Sequence, residues 1–285
     1  MKLIALGDNV IDHYRGTDER FPGGNAVNVA VHAARQGAEA EYLGALADDG
    51  YADILRAALE ENHVVCRHCP VLRGTTTKVC RYDVTDGERS FVEIITGPSW
   101  AGPIRLEPSH LELLSAADVI VSSCNAKIPE QLAAVEALPP IFVFDFGEKE
   151  KYRTDDYLDA VCHGIDLALF SCRPMDEKSF AEFCAPLHRR GIVHVLATMG
   201  AEGQILSDGV KIYKRAVQKV AASDTMGAGD SFLAAFLCRL YQDGWQKGRP
   251  MPRQSLLEAL AAGQAASAQN CMSQGGFGRK VGTLP

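Results

Sequence analysis

The sequence predicts an α/β fold: a doubly wound, mainly parallel sheet with helices on both faces, plus a small antiparallel β lid. Short apolar runs alternate with helix-period stretches over most of the chain, the pattern of parallel strands joined by crossover helices. Over 75–95 the pattern changes to two runs rich in Thr, Val, Tyr and Phe, joined by Asp86-Gly87, a two-residue hairpin signal. No Pro/Ser-rich linker and no internal repeat divides the 285 residues, so one domain over 1–285 is expected, with lid strands from about 13–20 and 74–96.

The first apolar run, Lys2–Leu6, reads as a buried strand ending at Gly7-Asp8-Asn9, with Asp12 five residues beyond the glycine. Ligands of open α/β sheets gather at the carboxyl ends of the strands, so these acids are placed for a polar substrate; a solvated loop acid fits the spacing equally. Next, Phe21-Pro22-Gly23-Gly24-Asn25-Ala26-Val27-Asn28 opens a small-residue helix that stops near Gly37. Paired glycines at a helix mouth imply a close backbone approach, to a ligand or to a neighbouring strand. Alanine packing explains the helix but not two glycines and two asparagines at its start. His32 reads as a helix-surface histidine.

A second strand is expected over 41–46, followed by a helix over 51–59 whose preceding acids, Asp48 and Asp49, suit a helix N-terminus. Cys66-Arg67-His68-Cys69 has the spacing of half a zinc site, but a structural zinc needs four ligands, and a plain strand or loop is expected there. Beyond Pro108 come strand 119–122, helix 129–138, strand 141–146, helix 155–162, strand 167–171, helix 174–190 and strand 193–198. Asp145 ends one of these strands, where an inward polar group can meet substrate. Thr198-Met199-Gly200-Ala201-Glu202-Gly203 follows another, either as a loop with backbone freedom for phosphates or as a simple turn before a hairpin at Asp208-Gly209. A small-residue helix is expected over 255–272, followed by Gly275-Gly276.

One turn carries the strongest chemical signal. In Asp224-Thr225-Met226-Gly227-Ala228-Gly229-Asp230-Ser231-Phe232 a glycine-rich turn runs into a helix marked by Phe232, Phe236 and Leu240, with Gly244 as its stop. Such a helix start leaves backbone N–H groups unpaired at the positive end of the helix dipole, and it attracts phosphate. Asp230, in the first turn, could take a proton from an attacking hydroxyl while the glycine backbone holds charge on the moving phosphoryl group. An ordinary loop with Asp224 or Asp230 as a cap fits the spacing as well.

Composition narrows the field. A net charge of -7 argues against general nucleic-acid binding, and 47% apolar with 23% charged residues is ordinary for a globular protein. No run reaches the length of a membrane span, and the N-terminal apolar run is too short for a signal peptide. Nine scattered cysteines suit a reducing compartment, and a cytoplasmic location is expected. No Walker sequence and no complete dinucleotide G-x-G-x-x-G is present.

The 224–232 stretch resembles the second signature of the PfkB carbohydrate kinases, the ribokinase family, with pattern D-T-x-G-A-G-D-x-F, and every fixed position is present. The segment from Phe21 to Gly37 resembles the first signature, and Thr198 to Gly203 resembles the family's T-x-G-x-x-G nucleotide stretch, so the likeness spans nearly the whole chain. The resemblance implies a ribokinase-like fold, with Asp230 as catalytic base and Gly227, Ala228 and Gly229 as anion hole. It implies sugar contacts from Asp8, Asp12, Gly23, Gly24, Asn25 and Asn28, and ATP contacts from Thr198, Gly200, Gly203 and Gly275. ATP and Mg2+ are the implied cofactors, with a monovalent cation such as K+ as a further expected ion.

The family's N-x-x-E motif is missing, replaced by Ser171-Cys172-Arg173-Pro174-Met175-Asp176-Glu177, so Asp224 and Glu177, the latter through water, are the expected metal residues. The opening segment, the two signatures and Phe144-Asp145-Phe146 look most like the fructoselysine 6-kinase branch, which implies transfer to the C6 hydroxyl of a fructosamine. Other ketoses, ribose or a nucleoside are the alternative acceptors, and a non-catalytic sugar-binding regulator the alternative class. His13, Arg15, Arg81 and Arg89 are candidates for the charged groups of an amino-acid adduct. A homodimer through the lid is expected, because a small exposed sheet needs cover.

Overall fold

The computed structural model describes residues 1–85, 88–97, 99–217 and 220–281, so the turn expected at Asp86-Gly87 lies outside the described residues. In chain order the strands and α-helices are β1 (Lys2–Leu6), β2 (Val10–Tyr14), β3 (Glu19–Gly23), α1 (Asn25–Arg35), β4 (Glu39–Leu43), β5 (Leu46–Ala47), α2 (Gly50–Glu61), β6 (Val71–Leu72), β7 (Val79–Thr85) and β8 (Glu88–Ile95). Then follow α3 (Pro108–Ser115), β9 (Val119–Ser123), α4 (Pro129–Glu136), β10 (Ile141–Asp145), α5 (Asp155–Val161), β11 (Leu167–Ser171), α6 (Glu177–Arg189) and β12 (His194–Thr198). The chain ends with β13 (Gln204–Ser207), β14 (Ile212–Arg215), α7 (Ala228–Gln242) and α8 (Arg253–Asn270).

Eight strands form one sheet in the order β14-β13-β12-β11-β10-β9-β1-β4. Those from β12 to β4 run parallel, and β13 and β14 finish one edge antiparallel. Because side chains alternate along a strand, the parallel strands feed two separate cores. Leu3 and Ala5 of β1, Val119 and Val121 of β9 and Val143 of β10 pack with α1, α2, α7 and α8. Their neighbours Ile4, Leu6, Ile120, Phe142 and Phe144 pack with α3, α4, α5 and α6. The sheet is therefore doubly wound, as the alternation of elements predicts, and its parallel strands all end on one side.

On that side lies a second sheet, β3-β2-β7-β8. It pairs β2 antiparallel to β3 but parallel to β7, so the lid joins two distant stretches of chain. Its strands over 10–23 start earlier than the expected 13–20, and the middle of that range is the turn between β2 and β3. Asp12 is thus a lid-strand residue rather than a loop acid. Tyr14, Phe21 and Met226 form a small buried cluster that fastens this sheet to the body, with Tyr82 packed against it.

Other boundaries moved for local reasons. The helix expected from residue 174 starts at Glu177, because Asp176 caps it by accepting from Ser179 N at 2.8 Å. The strand expected over 41–46 runs over Glu39–Leu43, in parallel register with β1. Helix α3 was not anticipated; it begins with Pro108 at its first position and a capping exchange between Glu107 and His110. His32 is buried rather than on the surface: its Nε2 donates to Gly276 O at 2.9 Å, and burial pushes its pKa down to about 4, so it is neutral. In the Cys66 to Cys69 segment, Cys69 is buried and His68 Nδ1 lies 2.5 Å from Glu41 Oε1. Among the described residues all nine cysteines are free and no helix is long and apolar enough to cross a membrane.

Candidate active site

Two helix starts face each other at the carboxyl end of the sheet. Asn25 and Asn28 stand three residues apart in the first turn of α1, so their side chains share one face. Across from them is Asp230, in the first turn of α7, which packs against α1 and α8. Asn25 Nδ2 donates to Asp230 Oδ1 at 2.8 Å, and Asn28 Nδ2 donates to Asp230 Oδ2 at 2.7 Å. Asn25 Nδ2 also donates to Asp145 Oδ2 at 2.8 Å, so one amide group links the two carboxylates.

The glycines at these helix starts answer to close packing. Gly24 has φ +112, and a Cβ there would sit 2.7 Å from Asp8 O, so the turn after β1 lies against the mouth of α1. A Cβ on its neighbour Gly23 would come within 2.5 Å of Asp12 Oδ2. Gly227 caps α7 with φ +71, in the left-handed region, and a Cβ there would fall 2.2 Å from Gly276 O. Gly229, by contrast, has open space around it, which leaves the start of α7 accessible from solvent.

Asp224 holds this turn from beneath. Its carboxylate accepts from Tyr14 OH at 2.5 Å, Met226 N at 2.9 Å and Gly275 N at 2.8 Å, and it is 3% exposed. One buried acid therefore ties together the lid, the glycine turn and the loop after α8. Asn270 Nδ2 adds a bond to Met226 O at 2.7 Å.

The electrostatics of the floor are unusual. Burial, with Asp145, Asp8 and Asp12 adding to it, pushes the Asp230 carboxyl up to about 8, against the lowering effect of its bond from Asn28. Burial likewise raises Asp145 to about 6, with Asp8 contributing, although bonds from Gly147 N and Asn25 oppose the shift. Clustered acids of raised pKa in a cleft mark a candidate functional site.

Beside Asp230 opens a cleft of ≈ 1070 Å³, reaching from Thr198 and Gly200 after β12 to Ala268 and Cys271 at the end of α8. Gly227, Ala228 and Gly229 form part of its wall, and Glu148, Glu150, Arg153 and Arg173 supply charge at another. By the general geometry of helix N-termini, the first amides of α7 point toward this space.

The expected site residues thus divide. Asp230, Asn25, Asn28, Asp8, Asp12, Gly23 and Gly24 come together on the acceptor side. Thr198, Gly200, Gly227, Ala228 and Gly229 line the cleft. Gly203 and Gly275 are not among the residues lining the cleft, and Cβ atoms there would lie 2.1 Å from Arg215 O and 2.5 Å from the Phe21 ring, respectively. Glu177 is exposed at the start of α6, away from the cleft lining, and Asp224 serves as the pin beneath the turn; Glu148 and Glu150 are the acids that face the cleft. His13, Arg15 and Arg81 are already paired, with Asp18, Asp83 and Glu93. Arg89 lies outside the described side chains. Tyr14, Glu148, Glu150 and Arg153 were missed, since none stands in a motif and only the fold brings them to the site.

An open α/β sheet whose glycine-rich helix start opens on a large cleft beside a buried carboxyl of raised pKa has the layout of an enzyme that transfers a phosphoryl group to a hydroxyl. The chain belongs to the pfkB family of carbohydrate kinases, whose pattern matches residues 1–137 and 164–278. It is 32% identical over 280 residues to the fructosamine kinase FrlD of Bacillus subtilis (strain 168), covering 98% of this chain and 93% of that protein. It is 29% identical over 278 residues to the fructoselysine 6-kinase of Escherichia coli (strain K12), covering 97% and 100%. In fold it is similar to the ATP-bound fructokinase of Xylella fastidiosa, with a TM-score of 0.79 at 19% identity, over 97% of this chain and 94% of that one.

Proposed function

We propose that this sugar kinase transfers the γ-phosphate of ATP to the C6 hydroxyl of a fructosamine, fructoselysine or a related adduct. The observation that carries the reading is the acceptor floor: Asp230 held by two asparagine amides, with three buried acceptors left open around it. Among the described residues Asp8 Oδ1, Asn25 Oδ1 and Asn28 Oδ1 have no hydrogen-bond partner. Buried acceptors left open suit a ligand rich in hydroxyl donors, which is what a sugar offers. The two relatives named for fructosamine and fructoselysine supply the choice of sugar.

The chemistry follows from the residues. The sugar hydroxyl gives its proton to an Asp230 carboxylate oxygen while its oxygen attacks the γ-phosphorus, and ADP leaves on the far side. The amides of Gly227 to Gly229 stabilise the charge on the transferred group. Asn25 and Asn28 fix the direction of the Asp230 lone pairs, and the lid excludes water.

A magnesium ion would be carried chiefly by the nucleotide phosphates and water. Glu148 and Glu150 are the acids that would hold its water shell, and the ion would neutralise phosphate charge. A monovalent cation such as K+ belongs to the same proposal.

The catalytic unit is the whole chain, 1–285, acting as a homodimer in the reducing cytoplasm. Dimerisation through the lid is supported by Phe91, Val92 and Ile94 of its edge strand β8, which are 53%, 36% and 42% exposed. Light scattering on the purified protein checks this, and a monomer at micromolar concentration rules it out. The function is tested by ADP release from magnesium-ATP with a panel of fructoselysine, fructose, ribose and nucleosides. Fructoselysine is expected to give the highest kcat/KM, and preference for a free sugar or nucleoside would overturn the acceptor assignment.

A further inference from the structure

Among the described residues His13, Arg15 and Arg81, three of the cations expected to meet an amino-acid adduct, are neutralised by partners, whereas of four lysines nearby only Lys78 has a carboxylate within ion-pair distance. Lys78, just before β7, is 5% exposed and places its Nζ 3.8 Å from Asp8 Oδ2. The same ammonium stands 5.9 Å from the centre of the Trp100 ring, and Lys127 Nζ stands 5.0 Å from it, so one indole lies against two cations. Lys149 Nζ approaches the Phe91 ring of the lid at 5.8 Å. Lys127 feels its neighbours: its pKa is lowered by burial first, then by Lys78, Lys151 and Lys149, with only Asp8 opposing. Among the described residues Asp8 is the sole carboxylate within ion-pair distance of any of these four ammoniums.

Asp8, Thr76, Lys78, Trp100 and Lys127 line one narrow pocket of ≈ 20 Å³. In it Thr76 Oγ1 is buried and has no partner among the described residues, a hydroxyl donor in a pocket that two lysines also line. The pocket shares no lining residue with the nucleotide cleft. It adjoins the acceptor floor through Asp8, whose Oδ1 has no hydrogen-bond partner among the described residues while its Oδ2 lies 3.8 Å from Lys78 Nζ. Crowding like charges around an unpaired donor is costly unless an anion arrives to balance them.

We propose that Lys78, Lys127 and Thr76 form a subsite for a carboxylate carried on the C1 substituent of the acceptor, and that this subsite selects anionic sugar adducts over neutral ones. The inference rests on the fructosamine kinase reading above and deepens it. A sugar presenting its C6 hydroxyl to Asp230 directs its opposite end, C1, away from the nucleotide. A carboxylate on a short arm reaches Lys78 and Lys127; one on a longer arm reaches the rim formed by Lys149 and Lys151.

The test compares adducts that differ only in charge: fructosylglycine against fructosylglycinamide, and Nε-fructosyllysine against its carboxamide, with magnesium-ATP and the full-length protein. The acid of a pair is expected to show a KM about tenfold below its amide, the scale of a hydrogen-bonded charge. Lys127→Met should erase most of that preference for the short adduct, the Lys149→Met, Lys151→Met pair should do so for the long one, and Lys127→Arg should restore much of it. Either loss supports the subsite and says how far from the ring the carboxylate sits. Equal KM for acid and amide in the wild type overturns the subsite while leaving the kinase assignment intact. A Lys127→Met effect on the KM for ATP as large as on the acid also overturns it, because the lysine then serves the nucleotide. Preference for fructose 1-phosphate over every adduct replaces the carboxylate with a phosphate. Activity on fructose but on no adduct overturns the fructosamine reading and the subsite together.

Discussion

The two sides of the active site are built differently. On the acceptor side, Asp230 is held by directed bonds of 2.7 and 2.8 Å from Asn28 and Asn25, and a Cβ added at Gly23 or Gly24 would strike a neighbour. On the nucleotide side, a cleft of ≈ 1070 Å³ is walled largely by small or apolar groups such as Gly200, Ala201, Val217, Val220 and Ala268. Its Gln264 is already committed, accepting from Arg215 Nε at 2.8 Å and donating to Ala216 O. Under the proposed function, one side would read its ligand by placed hydrogen bonds, the other chiefly by shape and backbone, with the charges of Glu148, Glu150, Arg153 and Arg173 at one wall. Substitutions should therefore be expensive on the first and cheap on the second.

The largest effect is expected at Asp230→Asn. It removes the proton acceptor while keeping the side chain's size, and kcat should fall roughly 10³-fold, within the range of general-base catalysis. Sugar binding, read by calorimetry, should weaken far less than turnover; a mutant of near wild-type rate would remove Asp230 from the base role. Next comes Asn28→Ala. Losing a bond to a charged group costs about 1.5–3 kcal/mol, or roughly 10–100-fold in kcat/KM. Because that bond lowers the Asp230 pKa, the mutant should also need a higher pH to reach its full rate. An effect of less than twofold at both Asn25 and Asn28 would erase the contrast between the two sides.

Gly227→Ala sharpens the contrast from the stability side. A residue with a side chain would adopt φ +71 and meet the backbone of Gly276 at 2.2 Å, so the α7 turn must shift. We expect a loss of about 2 kcal/mol, the scale of such backbone strain, seen as a lower thermal midpoint together with lower kcat. Gly229→Ala has room for its methyl group and should leave the midpoint close to wild type. Equal midpoints for both variants would show that packing does not select Gly227.

The same division explains what could be read in the sequence. The doubly wound sheet was legible because fully buried parallel strands and their helices impose strong periodicities, which Lys2–Leu6, Leu167–Ser171 and the α7 pattern all display. The acceptor side was largely legible because Asn25, Asn28 and Asp230 stand in short contiguous stretches beside glycines. The pin role of Asp224 was not, since its partners Tyr14 and Gly275 lie 210 and 51 residues away. Gly203 and Gly275, expected at the nucleotide from the family resemblance, also pack closely against Arg215 O and the Phe21 ring, neighbours that no local pattern names. Glu148, Glu150 and the four lysines stand in no motif, and only tertiary packing brings them to where the proposed roles need them.

The acidity of the floor gives a smaller but more diagnostic effect. In the proposed role of base Asp230 must be ionised, and its pKa is raised to about 8, so kcat/KM should fall as pH drops below that value. Asp145 is the leading charge that raises it, after burial. Replacing Asp145 with Asn removes that negative charge, lowers the Asp230 pKa, and should move the acid limb to lower pH by about one unit. A profile that keeps its limb while losing amplitude would make Asp145 a packing residue instead.

The smallest effects should lie along the cleft wall, and they test the other half of the contrast. Val220 is 37% exposed and contributes apolar surface without a directed bond. Truncation to alanine removes two methyl groups from a half-open contact, where each buried methylene is worth at most about 0.8 kcal/mol. The KM for ATP should therefore rise only about two- to threefold, with kcat and the acceptor KM nearly constant. A rise of 50-fold or more would mean that the cleft closes tightly on the nucleotide and buries Val220 fully. Recognition on that side would then depend on a closure of the wall around ATP, and the difference between a bonded acceptor floor and a permissive nucleotide cleft would hold only for the protein without its substrates.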